Sequence, residues 1–336
     1  MKSSLVGCGG ISAAHIKSIQ GNGQARLLSV ADIKIERANK VAAETGAIPY
    51  ASLDAMLDAE KPDVLHICTP HYLHTPMALN ALERGIHVLI EKPCAVTLQE
   101  LAALRTAQKR TGLKVGTCFQ NRYNYSALQL QKLLQDEEKH GKLLSARGFV
   151  TWKRGADYYS DDWHGTLAKE CGGVLINQAI HTLDMLQLVA GGLTGVTGHI
   201  ANDHLKGVIE VEDTACAMLE FASGAGGVFY ATVAYAADAP VFMEFKCEKA
   251  VFRIEGDNLY EIKSDGEITA IKSFEPKDYP GKVCWGTGHL ALICDFYASI
   301  IEDRPFEIDA FAGGKAVEAV LAIYESAKTG KRAALA

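Results

Sequence analysis

The chain of 336 residues contains no run of about 20 apolar residues, which is the length that a membrane-spanning helix needs. It also lacks an excess of positive charge, because 34 Lys and Arg residues stand against 40 Asp and Glu residues. A general nucleic-acid binder carries the opposite balance. The composition therefore predicts a protein that binds neither membranes nor nucleic acids.

The sequence also lacks any C-x-x-C pair, and its nine cysteines are odd in number and widely spaced. This pattern argues against a disulfide framework and against a structural zinc site. The histidines His66, His71, His74 and His87 likewise show no spacing typical of metal ligands, so no metal is predicted. A reducing, cytoplasmic compartment is the simplest expectation for such a chain.

The chain does contain a regular alternation of short apolar runs and helical segments over residues 1–122. Such alternation predicts an α/β domain with a parallel sheet that is covered by helices on both faces. Beyond this point, successive strands follow one another without intervening helices. Residues 123–336 are therefore predicted to form an α+β domain with a mainly antiparallel sheet.

A glycine-rich turn joins the first strand to the first helix, with the pattern Gly7-x-Gly9-x-x-Ser12. Gly7 permits a tight turn, and Gly9 lets the backbone approach a pyrophosphate closely. Gly10 and Ile11 lead into the first helix, and the free backbone N–H groups at its start would bind the phosphates. This is the dinucleotide-binding pattern of a Rossmann domain.

Asp32 ends the second strand, 20 residues beyond Ser12. Its carboxylate could accept hydrogen bonds from the adenosine ribose and would repel a 2′-phosphate, which predicts NAD rather than NADP. The alternative is a plain glycine turn followed by an aspartate that caps a helix.

A candidate catalytic lysine, Lys92, follows a buried strand in the motif Glu91-Lys92-Pro93. A lysine that lies beside a nicotinamide cation and is partly desolvated is expected to have a lowered pKa, and it could hydrogen-bond a substrate hydroxyl. The alternative is a surface lysine at the end of a strand. A cis Lys92–Pro93 bond is expected here.

A candidate proton acceptor, His181, lies in a segment that predicts a helix from Gly173 to Val189. On that helix Asn177 and His181 would share a face. Histidine has an ordinary pKa near neutrality, so it suits proton acceptance from an alcohol. The alternative is a structural histidine that is bonded to Asp184.

These motifs resemble the Gfo/Idh/MocA family of NAD(P)-dependent sugar and inositol oxidoreductases. GCGGISAAH is similar to the family's phosphate loop, CTPHYLHTPMALNALERGIHVLIEKP to its catalytic lysine block, and GGVLINQAIHTLD to its active-site helix. The resemblance implies a Rossmann domain, an open-faced antiparallel sheet that forms a homodimer or homotetramer, and Lys92 and His181 as the catalytic pair. It also leads us to expect cofactor contacts at Thr69, Pro70, His71, His74, Glu91, Lys92, Pro93, Asn121 and Trp163.

Aromatic and basic residues cluster between the lysine strand and the histidine segment, where they could stack on a sugar or bind an anion. With the catalytic pair, the predicted substrate contacts are Arg122, Tyr123, Trp152, Arg154, Tyr158, Tyr159, His164 and Asn177; ordinary loop packing is the alternative for each. Many family members carry aspartate where this chain has Asn177. The N-Q-x-I-H variant is similar to members that oxidise C3 of nucleotide-linked N-acetylhexosaminuronic acids.

The sequence thus predicts an NAD-dependent dehydrogenase of a sugar, cyclitol or sugar derivative, whose substrate lies between the nicotinamide and the second domain. Two alternatives remain open at this point. One is a glycosidase that uses tightly held NAD for a transient oxidation at C3. The other is a non-catalytic NAD-binding sensor or assembly protein.

Overall fold

The protein is described here by a computed structural model that covers residues 1–272 and 288–335. Its first sheet has six parallel strands in the order β3-β2-β1-β4-β5-β6, which confirms the predicted Rossmann architecture. The elements in chain order are β1 (Lys2–Val6), α1 (Ser12–Gly21), β2 (Arg26–Ala31), α2 (Ile35–Thr45), β3 (Ile48–Tyr50), α3 (Leu53–Glu60), β4 (Val64–Ile67), α4 (His74–Glu83), β5 (His87–Ile90), α5 (Leu98–Thr111) and β6 (Val115–Thr117).

Burial and capping explain why these segments form strands and helices. β4 is buried at all four positions, as expected for a central parallel strand between two helical layers. Thr97 opens α5 by accepting a hydrogen bond from the Glu100 N–H group at 3.1 Å. Gly112 closes α5 in the left-handed conformation that glycine adopts without strain.

The second sheet has nine strands in the order β14-β13-β12-β11-β7-β10-β9-β8-β15. Its strands pair antiparallel except for β7 and β10, so the prediction of a mainly antiparallel sheet is confirmed. The elements are α6 (Tyr125–Leu134), α7 (Glu137–His140), β7 (Leu143–Thr151), α8 (Ile180–Ala190), β8 (Leu193–Ala201), β9 (Thr214–Phe221), β10 (Gly226–Thr232), β11 (Phe242–Cys247), β12 (Val251–Glu255), β13 (Asn258–Ile262), β14 (Ile268–Lys272), α9 (His289–Ile301), α10 (Gly314–Thr329) and β15 (Ala333–Ala334).

The chain forms two compact units that differ from the predicted division at 122. The first contains Met1–Gln120 and Gly288–Gly314, and the second contains the described residues of Asn121–Thr287 and Lys315–Ala336. Helix α9 belongs to the first unit because it packs on α1. Just beyond it, the Ile308 carbonyl accepts from the Thr117 N–H group at 2.8 Å.

The sequence argued against a disulfide framework and against a membrane-spanning helix. None of the eight described cysteines forms a disulfide, and Cys284 lies outside the described residues. In the described part of the chain, no helix combines the length and apolarity needed to cross a bilayer.

The helix predicted from Gly173 begins instead at Ile180, so this part of the prediction was wrong. Glu212 anchors the start of this segment, because its carboxylate accepts from the N–H groups of Gly173 at 2.9 Å and Leu175 at 3.0 Å. Within this segment the Asn177 N–H group bonds to the Gly173 carbonyl at 3.1 Å, but the Ala179 N–H group reaches five residues back to the Val174 carbonyl at 2.8 Å. Residues 173–179 therefore form a series of turns ahead of α8.

Candidate active site

The glycine turn after β1 has the geometry that a dinucleotide requires. Gly7 has φ of +91°, and a Cβ there would lie 2.5 Å from the Cys68 carbonyl oxygen, so only glycine fits without strain. Cβ atoms on Gly9 and Gly10 would meet nothing within 4 Å, which means that this backbone faces open space. The Ser12 hydroxyl donates to the Gly9 carbonyl at 2.6 Å and stabilises the turn. The residues present therefore fit a bound pyrophosphate.

Asp32 lies at the end of β2 and is held towards this turn. Its Oδ2 accepts from the Cys8 N–H group at 2.9 Å, and its Oδ1 accepts from the Lys34 N–H group at 2.8 Å. A carboxylate has about four acceptor positions, so two remain for ribose hydroxyls. Burial and the nearby Asp32 charge raise the pKa of the Cys8 thiol to about 12, which keeps this cysteine unreactive.

His74 joins the two loops that carry the remaining predicted cofactor residues of the first unit. Its Nδ1 lies 2.7 Å from the Pro93 carbonyl oxygen, and its Nε2 lies 2.7 Å from the Thr69 carbonyl oxygen. Lys92 is half-buried, and the Lys92–Pro93 bond is cis, as predicted. The ends of β1, β4 and β5 are neighbours in the sheet. The glycine turn, Thr69-Pro70 and Lys92 therefore share its carboxyl edge, where ligands bind in such sheets.

Glu91 turns inward to a buried hydrogen-bonded chain that the sequence did not reveal. Its Oε1 lies 2.8 Å from Nε2 of His15, while Nδ1 of His15 lies 2.8 Å from Nδ1 of His66. The chain continues from His66 Nε2 to the Tyr297 hydroxyl at 2.8 Å. Burial by itself would raise the pKa of the Glu91 carboxyl, but hydrogen bonding and charge from His15, with His289 and Lys92 nearby, hold it well below its usual range.

His15, Glu91 and Cys118 bring three potential metal-ligand atoms within 4.8 Å of one another. The His15–Glu91 separation of 2.8 Å is that of a hydrogen bond. Tetrahedral ligands at zinc distances would lie about 3.3 Å apart. The group is therefore arranged as a hydrogen-bonded network rather than as a metal polyhedron.

In the second unit, two glycines allow the chain to approach a buried anchor. A Cβ on Gly172 would collide with the Tyr324 hydroxyl, and one on Gly173 would collide with the Glu212 carbonyl oxygen. The Tyr324 hydroxyl itself donates to Glu212 at 2.8 Å. The glycine pair is thus required by close packing around Glu212, and it fixes the segment that leads to His181.

His181 lies half-buried in the first turn of α8, and Asn177 lies in the preceding turns. The two residues are therefore not on one helical face, in contrast to the prediction. Asp184 is the residue that the structural alternative paired with His181. Both of its oxygens bind Arg122, from Nε at 2.8 Å and from Nη2 at 2.5 Å.

The second predicted arginine is also held by a carboxylate. Nη1 of Arg154 lies 2.7 Å and 3.0 Å from the two oxygens of Asp238. The Arg154 guanidinium lies over the rings of Trp152, at 5.1 Å, and Tyr158, at 5.3 Å. Trp152 is buried and donates its indole N–H group to the Ala239 carbonyl at 3.1 Å. The ring on which the Arg154 guanidinium lies is therefore held in place.

The other predicted residues of this unit occupy two segments. Asn121 and Tyr123 lie, half-buried, in a short 3₁₀ turn. Trp163 stacks on His164 with ring centroids 3.7 Å apart, and Nδ1 of His164 lies 2.6 Å from Asp161. Tyr159 packs with Ile209 and Val211 in a small apolar cluster.

Sequence reasoning missed the residues that orient this segment, namely the buried carboxylates Glu170 and Glu212 and the half-buried Tyr324. No motif marks these three residues. Glu212 and Tyr324 are distant along the chain from the segment that they contact, and turns separate Glu170 from Asn177. An acidic residue two positions before a glycine pair is the one local signal, and it occurs at Glu170 before Gly172-Gly173.

Comparisons with known proteins agree with this geometry. A family model described as "Oxidoreductase family, NAD-binding Rossmann fold" matches residues 1–119, and one described as "GFO/IDH/MocA C-terminal domain" matches residues 128–253. D-glucoside 3-dehydrogenase of Escherichia coli (strain K12) is 26% identical over 359 residues, covering 100% of this chain and 97% of that protein. Glucose-6-phosphate 3-dehydrogenase of Bacillus subtilis (strain 168) is 28% identical over 191 residues, covering 55% of this chain and 52% of that protein.

A solved structure is similar over the whole chain. The WlbA dehydrogenase from Bordetella pertussis, determined in complex with NADH and UDP-GlcNAcA, is 28% identical with a TM-score of 0.87, and the match covers 100% of this chain and 99% of that one. The chain belongs to the Gfo/Idh/MocA family of oxidoreductases and is an NAD-dependent dehydrogenase that acts on CH–OH groups.

Proposed function

We propose that this dehydrogenase oxidises the C3 hydroxyl of a hexose unit in a neutral sugar or glycoside. The observation that carries the dehydrogenase chemistry is the position of Lys92. Lys92 lies in a loop that His74 joins to Thr69 through the Pro93 and Thr69 carbonyl groups. This loop is at the sheet edge that also holds the glycine turn and Asp32. A lysine at this edge can hydrogen-bond a hydroxyl close to the cofactor.

The choice of a neutral substrate is supported by the state of the two predicted anion-binding arginines. Arg122 is bound by Asp184 and Arg154 by Asp238, so each cation is already matched by a carboxylate. A substrate carboxylate or phosphate would have to displace one of these partners, which costs free energy. The name of the relative that matches the whole chain, D-glucoside 3-dehydrogenase, supports both the sugar class and the position C3.

The proposed roles of the residues follow from ordinary acid–base chemistry. Gly9, Gly10 and Asp32 would hold NAD, which when bound supplies the acceptor for a hydride. Lys92 donates a hydrogen bond to the reacting hydroxyl oxygen, and His181 accepts the hydroxyl proton as the C3–H bond breaks. The C3 carbon is oxidised to a ketone by the loss of that proton and a hydride.

A nucleotide-linked N-acetylhexosaminuronic acid is a second candidate substrate. It is supported by the N-Q-x-I-H segment around Asn177 and by the 28% identity to the WlbA dehydrogenase. A glycosidase that oxidises C3 transiently would use the same residues, but it would release free sugar without net formation of NADH.

One panel of substrates separates these possibilities. The enzyme is incubated with NAD and glucose, methyl glucoside, glucose 6-phosphate, myo-inositol or UDP-GlcNAcA, and both NADH absorbance and release of the aglycone are followed. We expect NADH to form with glucose or methyl glucoside without aglycone release. Turnover of UDP-GlcNAcA alone would contradict the neutral substrate, aglycone release would indicate the glycosidase, and NAD binding without any turnover would indicate a sensor.

A further inference from the structure

A buried carboxylate, Glu170, lies two residues before the glycine pair and contacts the predicted substrate residue Asn177. Its relative exposure is 0%. Its Oε1 accepts a hydrogen bond from Asn177 Nδ2 at 2.5 Å, and its Oε2 accepts from the Gly165 N–H group. Each oxygen thus acts as an acceptor, which is the hydrogen-bonding pattern of an ionised carboxylate.

This contact determines which way the Asn177 amide points. The two ends of an asparagine amide have nearly the same shape, so their orientation follows from the hydrogen bonds around them. Because the Glu170 carboxylate only accepts, the NH₂ end of Asn177 must face it. The same Nδ2 lies 3.4 Å from the Tyr158 hydroxyl, so both N–H directions are used within the protein. The carbonyl oxygen, Oδ1, is consequently turned away from Glu170.

Gln178 provides an independent sign that this segment accepts hydrogen bonds from a ligand. Its Nε2 lies 3.4 Å from the Tyr158 hydroxyl. Its Oε1 is buried, and among the described residues it has no hydrogen-bond partner. A buried carbonyl oxygen that has no protein partner is costly unless a ligand or water donates to it. The neighbouring residues Asn177 and Gln178 thus both direct their NH₂ ends to the Tyr158 hydroxyl.

The Tyr158 hydroxyl between these two amides remains protonated at neutral pH. Burial, with the nearby Glu170 charge, raises its pKa to about 12. It can therefore accept from both amides and still donate its own proton. The carboxylate, the two amides and the phenol form one polar group in the second unit, which we call the Glu170 cluster (Glu170, Asn177, Gln178 and Tyr158).

We propose that Glu170 is a positioning residue for the sugar: by holding the NH₂ end of Asn177, it makes that side chain, together with Gln178, an acceptor of hydrogen bonds from substrate hydroxyl groups. The inference rests on the proposed function and adds the residue that orients the contact. It also explains why asparagine, rather than aspartate, is compatible with Glu170 at this position. An aspartate at 177 would place two carboxylates within hydrogen-bonding distance, and like charges at that distance cannot both stay ionised.

The test exchanges the carboxylate and the amide between the two positions, with the variants Glu170→Gln, Asn177→Asp and the double variant. In Glu170→Gln the new amide donates, so Asn177 is expected to turn its carbonyl inward and offer its NH₂ group outward. In the double variant, the glutamine introduced at position 170 can donate to the new aspartate and still accept from the Gly165 N–H group. The negative charge then lies at 177, and every donor keeps an acceptor.

The kinetic readout uses methyl glucoside and, for comparison, glucose. We expect Glu170→Gln to raise KM for the sugar by about tenfold or more, with the dissociation constant of NAD within about twofold of the parent. Asn177→Asp should lose most turnover, and the double variant should recover at least about tenfold of that loss. A surface control, Glu267→Gln, removes an exposed carboxylate paired with Lys263 and should leave KM unchanged.

A readout without substrate keeps the inference separate from the proposed function. Asn177→Asp should lower the thermal unfolding temperature, and the double variant should recover most of that decrease, because the exchange removes the carboxylate pair. Failure of the parent to oxidise any sugar would overturn the proposed function and the substrate role together. A parent that oxidises sugar, with Glu170→Gln unchanged in KM or with no recovery in the double variant, would overturn the role of Glu170 alone.

Discussion

Arg122 and Asp184 form a two-point ion pair, with Nε 2.8 Å from Oδ2 and Nη2 2.5 Å from Oδ1. Their side chains are 13% and 2% exposed, so water screens the pair little. Burial raises the pKa of the Asp184 carboxyl, and the guanidinium opposes this rise. An arginine that the sequence suggested for substrate binding thus links the 3₁₀ turn in which it lies to helix α8.

We expect Arg122→Ala to lower the free energy of unfolding by about 3–5 kcal/mol, because it leaves the buried Asp184 carboxylate without its partner. Urea unfolding measures this loss. The matched control is Arg147→Ala, whose ion pair with Glu244 is more exposed, and there we expect about 0–1 kcal/mol. A small loss of stability for Arg122→Ala combined with a large rise in KM would instead indicate a substrate contact.

Lys92→Met should abolish most turnover and leave NAD binding nearly intact, since it removes the hydrogen-bond donor without changing the glycine turn. The expected decrease in kcat is about 10²–10⁴-fold, which is the usual contribution of acid–base catalysis. His181→Gln should have a decrease of similar size. Turnover of Lys92→Met within a few-fold of the parent would rule out the proposed role of the lysine.

Replacing Asp32 should weaken the discrimination against NADP. In Asp32→Ala no carboxylate remains to repel a 2′-phosphate, and we expect the ratio of kcat/KM for NAD over NADP to fall by roughly tenfold or more. Asp63→Ala is a suitable control, because Asp63 also accepts a backbone N–H bond, from Lys2 at 2.7 Å, but it lies next to the start of β4. An unchanged ratio in Asp32→Ala would show that another residue selects the cofactor.

Stability should fall as the pH is lowered from neutrality, and His289 should account for part of the loss. Burial lowers the pKa of His289 to about 4, with the Glu91 charge opposing this effect. Below the ordinary pKa near 6.5, the unfolded chain binds a proton that the folded state excludes. Stability therefore decreases between about pH 6.5 and 4, by about 2 kcal/mol at pH 5 from this residue.

Urea unfolding at pH 7 and pH 5 tests this contribution against His289→Gln, which cannot titrate. The variant should lose less stability between these two pH values than the parent does. The pKa of Glu91 is held low, so its own contribution is lost only at still lower pH and does not confuse this comparison. Equal losses in parent and variant would show that His289 titrates normally.

We propose that the second sheet forms the contact between subunits of a homodimer or homotetramer. On its outer face, Met218 of β9 pairs with Val228 of β10, and these side chains are 59% and 37% exposed. Exposed apolar neighbours of this kind are typical of a contact surface. Met218→Glu should reduce the molecular mass measured by light scattering, whereas Leu98→Glu, at an exposed position of the first unit, should not. An unchanged mass for Met218→Glu would place the interface elsewhere.

Much of the first unit follows from local sequence patterns. Short apolar runs alternate with helices, and the carboxyl ends of parallel strands meet at one edge of the sheet. That rule alone places the glycine turn, Asp32 and Lys92 together, although they are separated along the chain. In the second unit, strands such as β9 are likewise marked by apolar segments between glycine-rich or charged turns.

Three features required the folded chain. Helix α9 joins the first unit by packing on α1, residues 173–179 are anchored by Glu212 and form turns rather than a helix, and Glu170 orients Asn177. Local propensity contains no information about a partner that arrives from elsewhere in the sequence. Periodicity reports which face of an element is buried, but a buried carboxylate is stabilised by particular donors, and those donors are brought to it only when the chain has folded.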